Sequence, residues 1–170
     1  DGQPTMGRLD DAGGTDKVIE LLLENNELTN IKAALTDNNI AQLTEGASYS
    51  LDQISFLPLI PNPGKIICVG LNYKSHREET GLGKGSTYPV IFTRFNETLV
   101  AQGDPIIQPL ASSKLDYEGE LALVISKSGR AIPEQDAFDY IAGYSCFNDA
   151  SVRDWQRHAS QYTPGKNFPA

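Results

Sequence analysis

The chain has 170 residues, 39% of them hydrophobic and 21% charged. That suits about one domain with a real core and excludes a coiled coil, a collagen-like fibre and a wholly disordered segment. The net charge of −8 speaks against nucleic acid and against a polybasic membrane patch as partners, because both associations need a basic face.

The opening Asp1-Gly2-Gln3-Pro4 carries neither the basic nor the apolar region of a signal peptide. No apolar run approaches the roughly 20 residues that span a bilayer. Asp16–Glu24 (DKVIELLLE) reads as a short helix capped by Thr15 or Asp16. Asn30–Leu35 reads as a second helix, and the Asn-, Thr- and Gly-rich stretch 25–50 as a loosely connected accessory lobe. Pro58, Pro61, Pro63 and Gly64 then punctuate the chain, which places the domain boundary at 59–64 and divides it into residues 1–60 and 61–170.

Beyond that boundary the pattern turns to β. Lys65–Val69 and Val90–Thr93 are short apolar runs that suit buried strands. Leu115–Ser126 (LDYEGELALVIS) is expected as one strand, with Leu115, Tyr117, Leu121, Leu123 and Ile125 on one face. Ile141–Asn148 is a further strand, and a helix is expected over Ala150–Ala159. The class is therefore mainly β with some α, an α+β fold. Cys68 and Cys146 lie in separate apolar runs and read as buried free thiols, which points to the cytoplasm.

Four acids interrupt these patterns. Glu118 and Glu120 are two residues apart, so a continuous strand aims both to one face, with Asp116 one step earlier. Like charges this close repel, and burying them requires neutralisation. One resolution is a solvated outer sheet face; the other is a divalent cation held by oxygen ligands. Asp149, after a strand and before the expected helix, is either a helix cap or a third ligand. Three carboxylates with positions left for water and substrate suit Mg²⁺. Zinc fits less well, since neither cysteine has ligand spacing and His76 and His158 are far apart. His158 reads as a surface helix residue with no assigned role.

The segment Gly70-Leu71-Asn72-Tyr73-Lys74-Ser75-His76-Arg77-Glu78-Glu79 follows directly on a strand. If it is helical, His76 and Glu79 share a face, as a general-base pair acting on water would need. The alternative is an exposed amphipathic turn with ordinary ion pairs, in which Glu78 partners a neighbouring lysine.

In order, the chain reads Gly70-x-Asn72-Tyr73-x-x-His76-x-x-Glu79, Asp116-x-Glu118-x-Glu120-Leu121-Ala122, Asn148-Asp149-x-Ser151-x-Arg153-Asp154-x-Gln156 and Gly165-Lys166. From about Pro61 to Phe168 this resembles the fumarylacetoacetate hydrolase family, in its branch of acylpyruvate hydrolases, oxaloacetate decarboxylases and related isomerases. The resemblance implies a mixed β-roll preceded by a small N-terminal lobe. It implies Mg²⁺, or alternatively Mn²⁺ or Ca²⁺, on Glu118, Glu120 and Asp149. It further implies His76 and Glu79 on a mobile lid activating water, Lys166 beside the substrate, and Arg153 and Gln156 as substrate-binding residues. For Arg153 a solvated helix face paired with Asp149 or Asp154 stays open.

The implied reaction is hydrolysis of a carbon–carbon bond in a 2-oxo or β-diketo acid, with an enolate as leaving group. Decarboxylation or isomerisation of a 2-oxo diacid at the same site, or a non-catalytic metal-binding protein, are the alternatives. A small oxo acid is the implied partner, aromatic-compound breakdown the implied setting, and a homodimer the usual state of the family. Family members continue past the position of Ala170 with the second half of the β-roll and a Thr-Gly-Thr-Pro-type substrate loop. The chain is therefore expected to hold only the first part of the fold, leaving sheet edges and apolar faces uncovered and the free polypeptide poorly soluble or inactive.

Overall fold

The computed structural model describes residues 2–10, 16–23, 29–81 and 88–169. They fall into two units. One comprises the described parts of Asp1–Pro61, Ala101–Gly103 and Leu121–Cys146; the other those of Asn62–Val100, Asp104–Glu120 and Phe147–Ala170.

The first unit is built on β1 (Met6–Asp10), β2 (Lys17–Leu22) and β3 (Thr44–Ser50), an antiparallel sheet with β2 in the middle. Met6 pairs with Leu21 and Asp10 with Lys17; on the other side Lys17 pairs with Ser50 and Leu22 with Thr44. Residues 17–22 are thus a strand, where the sequence predicts a helix; Thr15 and Glu24 lie outside the described residues. The reason is tertiary. A single nine-residue helix falls short of the roughly 12–15 residues that are even marginally stable in water. The β-branched Val18 and Ile19 suit a strand, and a central strand has both rows of backbone groups paired. Thr44–Ser50, expected as loose connection, is the third strand.

Between them α1 (Ile31–Thr36) matches the second expected helix. Asn30 caps it, its Oδ1 accepting from the Ala33 N–H at 3.0 Å, and Ala34 is its buried contact.

Most of β7 (Gly119–Ile125) and β8 (Ile141–Asn148) also belongs to this unit, and the two strands pair with each other. Along β7 the apolar side is the outer one: Leu121, Leu123 and Ile125 are 58%, 50% and 62% exposed, whereas Ala122 and Val124 are half-buried. The same alternation in β8 turns Tyr144 and Cys146 outward. Cys146 is therefore exposed rather than buried, because it sits at an outward position of a two-stranded ribbon; Cys68 is half-buried, and both are free thiols.

In the second unit, β4 (Ile66–Gly70) and β5 (Val90–Arg94) are antiparallel, from Ile66 opposite Arg94 to Gly70 opposite Val90. Between them lies α2 (Lys74–Thr80). It stops at Gly81, whose φ of 67° closes the helix as its N–H donates to the Arg77 carbonyl at 3.0 Å. The short β6 (Leu115–Asp116) pairs with β9 (Ser151–Val152), Leu115 opposite Val152 and Asp116 opposite Ser151.

The single strand expected over 115–126 is thus two strands with different partners. The Asn148 side chain, accepting from the Glu118 N–H at 3.1 Å, takes the place of a ladder acceptor at the break. The helix expected from Ala150 begins only at α3 (Arg153–Gln156), after β9, and Val152 occupies the position before it. Last comes α4 (Thr163–Lys166).

Phe92, Val152, Ser151, Gly165 and Lys166 are the buried centre of the unit. Phe92 meets Tyr162 edge-on at 6.1 Å and Trp155 meets Phe168 edge-on at 5.2 Å. No helix among the described residues is long and apolar enough to cross a membrane.

Candidate metal and active site

Asp149 lies in the two-residue link between β8 and β9, where its N–H donates to the Glu118 carbonyl at 2.8 Å. That bond ties the ends of two chain segments together and carries both carboxylates into one place. Asp149 is 4% exposed, so it is not a solvent-facing helix cap; a charge this buried stands only if it is paired. Oδ1 accepts from Arg94 Nε at 2.5 Å and Oδ2 from Lys166 Nζ at 2.6 Å. Arg94 Nη2 also donates to the Ala150 carbonyl.

Lys166 is 2% exposed. Its ammonium reaches Asp149 Oδ2, the Asp149 carbonyl at 3.3 Å and Glu118 Oε2 at 3.0 Å, and stands 5.0 Å from the Phe92 ring centre. Two features hold it there. Gly165 packs where a Cβ would lie 2.2 Å from the Gln156 backbone N. The Asn167 amide donates to Thr93 and Thr163 carbonyls at 3.0 and 3.1 Å, and its Oδ1 accepts from the Phe95 N–H at 2.8 Å.

Glu118 is the second charged hub. Beyond Lys166, its Oε1 accepts from Ser151 Oγ at 3.0 Å and from Arg153 Nη1. Arg153 spans three partners, with Nε on Asp116 Oδ2 at 2.9 Å and Nη1 also on Gln156 Oε1 at 3.2 Å. The Arg153 hydrogen bond holds the Asp116 carboxyl below the usual carboxylate range. Arg153 therefore pairs with Asp116 and Glu118, not with Asp149 or Asp154 as one reading of the sequence had it. Asp154 accepts from Ser112 Oγ at 2.7 Å instead.

Glu120 differs. Burial raises its pKa first, the Glu118 charge raises it further, and a hydrogen bond from the Tyr73 hydroxyl works the other way. Among the described residues it forms no ion pair. Nearby, burial, reinforced by the Asp149 charge, pushes the Cys68 thiol up to about 11.

The donor chemistry fits a hard divalent cation. Three carboxylates converge electrostatically, and Glu120 is partly desolvated beside two others with Lys166 acting on it only at a distance and no ion pair of its own among the described residues. The oxygens of Asp149 and Glu118 are turned onto Lys166, Arg94 and Arg153, and among the described residues no three His, Cys, Asp or Glu side chains form a ready-made cage.

His76 and Glu79 both lie on α2, three residues apart and exposed. Among the described residues they are bonded neither to each other nor to the acids. The ion pair on that helix is Lys74–Glu78 at 3.9 Å. Tyr73, at the N-terminus of α2, is the residue of this segment that bears on the acids, lowering the pKa of Glu120 against the effect of burial. The structure thus joins Glu118, Asp149, Lys166, Arg153 and Gln156 in one hydrogen-bonded group, sets Glu120 within reach of its charges, and leaves His76 and Glu79 outside the group.

Sequence reasoning missed Arg94 and Tyr73. A signal for Arg94 existed: in Val90-x-Phe92-x-Arg94 the period-two positions run apolar, apolar, cationic, and a cation on a buried face asks for an anion.

Residues 65–170 match the family described as Fumarylacetoacetate (FAA) hydrolase C-terminal. The chain belongs to this fumarylacetoacetate hydrolase family. It is 44% identical over 108 residues to the fumarylacetoacetate hydrolase domain-containing protein 2 homolog of Dictyostelium discoideum, covering 62% of this chain and 35% of that protein. It is 43% identical over 121 residues to a mitochondrial oxaloacetate tautomerase of Xenopus laevis, covering 70% of this chain and 38% of that one.

Among solved structures, the 5-carboxymethyl-2-hydroxymuconate delta-isomerase of Mycobacterium smegmatis superposes with a TM-score of 0.71 at 29% identity, over 97% of this chain and 57% of that one. The chain thus spans well under two thirds of each of these relatives. Its mixed, mostly sheet architecture is part of the fumarylacetoacetate hydrolase fold. All the acids and cations of the site lie within the family-matching segment.

Proposed function

We propose that the chain carries the metal-binding part of an enzyme that forms and reprotonates the enolate of a 2-oxo acid, an oxaloacetate-like diacid being the best-supported substrate class. The observation that carries this reading is the group formed by the buried Asp149 and Lys166 with the half-buried Glu118 and Glu120, in which carboxylate oxygens and an ammonium lie side by side. The tautomerase and isomerase relatives support it, because both reactions move a proton through an enol or enolate.

Glu118, Glu120 and Asp149 would hold the cation, Mg²⁺ first, with Mn²⁺ or Ca²⁺ as substitutes. Bound there, it would supply Lewis-acid polarisation of the 2-oxo group and neutralise enolate charge. Lys166 stabilises the remaining negative charge on the enolate oxygen, and its burial makes that interaction stronger than in water. The Arg153 guanidinium and the Gln156 amide bind and orient the substrate's second carboxylate. The His76 imidazole takes and returns the proton at C3, and the Glu79 carboxylate, on the same helix but not bonded to the ring in this structure, would orient it in the reacting complex.

Hydrolysis of a carbon–carbon bond in an acylpyruvate-type acid is the second reading. It uses the same enolate-stabilising group but needs a water activated by His76 and Glu79. The placement of that pair on one helix, which begins after the Tyr73 that bears on Glu120, favours keeping it. A homodimer in the cytoplasm is the proposed assembly and setting.

The test follows enol-oxaloacetate by ultraviolet absorbance with and without Mg²⁺, and analyses the products by NMR. Mg²⁺-dependent loss of the enol with all carbons retained in the keto form supports tautomerisation. Release of CO₂ identifies a decarboxylase. Cleavage of an acylpyruvate into two acids, lost in His76→Ala while Mg²⁺ binding persists, identifies the hydrolase. No Mg²⁺-dependent turnover of any of these refutes the enzymatic reading.

A further inference from the structure

The cation buried behind Asp149 has a more specific consequence than charge balance. In β5, Val90, Phe92 and Arg94 share the covered face, and Arg94 is 7% exposed. A guanidinium keeps its charge at any accessible pH, so its position there is held by its partners. Its Nε binds Asp149 Oδ1 at 2.5 Å and its Nη2 binds the Ala150 carbonyl. One planar fork thus grips a side-chain oxygen and the next backbone carbonyl, fixing the rotation of the Asp149 carboxylate relative to its own main chain.

The end of β5 is itself pinned by Asn167, through the Thr93 carbonyl and the Phe95 N–H. The main chain on both sides of Arg94 is therefore fixed, and the guanidinium reaches Asp149 from a set position. Oδ2 is left facing Lys166, and because each carboxylate oxygen has two acceptor sites it can serve an ammonium and a metal ion together.

We propose that Arg94 is a positioning residue that makes Asp149 a one-oxygen ligand: it withholds Oδ1, offers only Oδ2, and thereby selects small six-coordinate cations over Ca²⁺. The inference rests on the metal-binding reading of Glu118, Glu120 and Asp149. Its physical basis is coordination number. Mg²⁺ demands an octahedral shell near 2.1 Å, which single oxygens and water fill, whereas Ca²⁺ takes about 6–8 oxygens and gains from two-oxygen carboxylates. A locked Oδ1 denies Ca²⁺ that extra ligand. A bare loss of positive charge would strengthen binding of both ions alike, so the ratio of affinities, not their size, reports on the lock.

The experiment is calorimetric titration of MgCl₂ and CaCl₂ into the unmodified chain, Arg94→Gln and Arg94→Lys. Each variant is first checked for native circular dichroism. The Mg²⁺-to-Ca²⁺ affinity ratio is expected to fall severalfold in Arg94→Gln, a part of the roughly 10–100-fold in affinity that losing a ligand's hydrogen-bonding partner costs. Arg94→Lys keeps the charge but not the fork; it should show a fall in the same direction, and it decides the matter alone if Arg94→Gln does not fold.

A Mn²⁺-soaked crystal of the unmodified chain gives an answer that needs no variant: Oδ2 on the ion and Oδ1 still on Arg94. An unchanged ratio in a folded variant, or both Asp149 oxygens on the ion, overturns the assignment of Arg94 and leaves the metal reading standing. If the unmodified chain binds neither ion, the metal reading itself fails.

Discussion

Replacing Lys166 by Met keeps the length of the side chain and removes its charge. In the structure that ammonium is almost fully buried, 2.6 Å from Asp149 Oδ2 and 3.0 Å from Glu118 Oε2. Removing one member of a buried ion pair costs about 3–5 kcal/mol, because the remaining charge stays buried without its partner. Arg94 still neutralises Asp149 from the other side, which puts the expectation at the lower end, about 3 kcal/mol. For a chain of this size that lowers the unfolding midpoint by about 6–12 °C.

A divalent cation can supply the lost positive charge. The midpoint of Lys166→Met should therefore recover with millimolar MgCl₂ and not with KCl of equal ionic strength, whereas unmodified protein should respond much less. The assay is thermal unfolding by circular dichroism in EDTA, KCl and MgCl₂. A variant as stable in EDTA as the unmodified chain, or one rescued equally by KCl, would show that the Lys166 ammonium does not neutralise these carboxylates.

Three further outcomes follow from the same geometry. Glu120→Gln should stabilise the metal-free protein at pH 7, since burial and Glu118 raise the native pKa of Glu120 above its unfolded value and the ionised form therefore costs stability once pH rises past that value; the gain, read from urea unfolding, should vanish when MgCl₂ is present. Gly165→Ala should cost about 1–3 kcal/mol in the same assay, because its Cβ would meet backbone of Gln156 and push Lys166 out of place. The Cys68 thiol, with its pKa raised from 9.0 to about 11, stays protonated in the folded state where the unfolded chain has already ionised; its contribution to stability is full below pH 9 and is lost as pH rises toward 11. Cys68→Ser should flatten that part of the stability profile, and a profile unchanged by the substitution would contradict the shift.

Legibility differed by element. The strands over 66–70 and 141–148 and the helix at 31–36 were readable because local pattern and tertiary role agree there. Residues 17–22 were not, because a run of Val, Ile and Leu is equally suited to a helix and to a central strand, and the neighbours that decide lie at 6–10 and 44–50. The break at Tyr117 and Glu118 depends on a side chain, Asn148, thirty residues away. No periodicity registers such a substitution for a backbone acceptor.

At the site, the spacing of Glu118 and Glu120 suggested a shared carboxylate face. The alternation that also allowed a solvated acidic surface proved reversed in space, with Leu121, Leu123 and Ile125 on the outside. What the spacing could not contain was the counter-charge. Arg94, Arg153 and Lys166 reach the acids from three different elements, and only folding shows which cation serves which oxygen. The pairing of His76 with Glu79 was suggested by helical spacing alone, and among the described residues the two side chains make no bond to each other.

The most direct test is a Mn²⁺ titration followed by electron paramagnetic resonance on the unmodified chain, Glu118→Ala and Asp149→Asn. Convergence of Glu118, Glu120 and Asp149 on a cation predicts one bound Mn²⁺ per chain, weakened by orders of magnitude in each variant. A folded chain that leaves Mn²⁺ free, or that binds it equally well without Glu118 and without the Asp149 carboxylate, would contradict it.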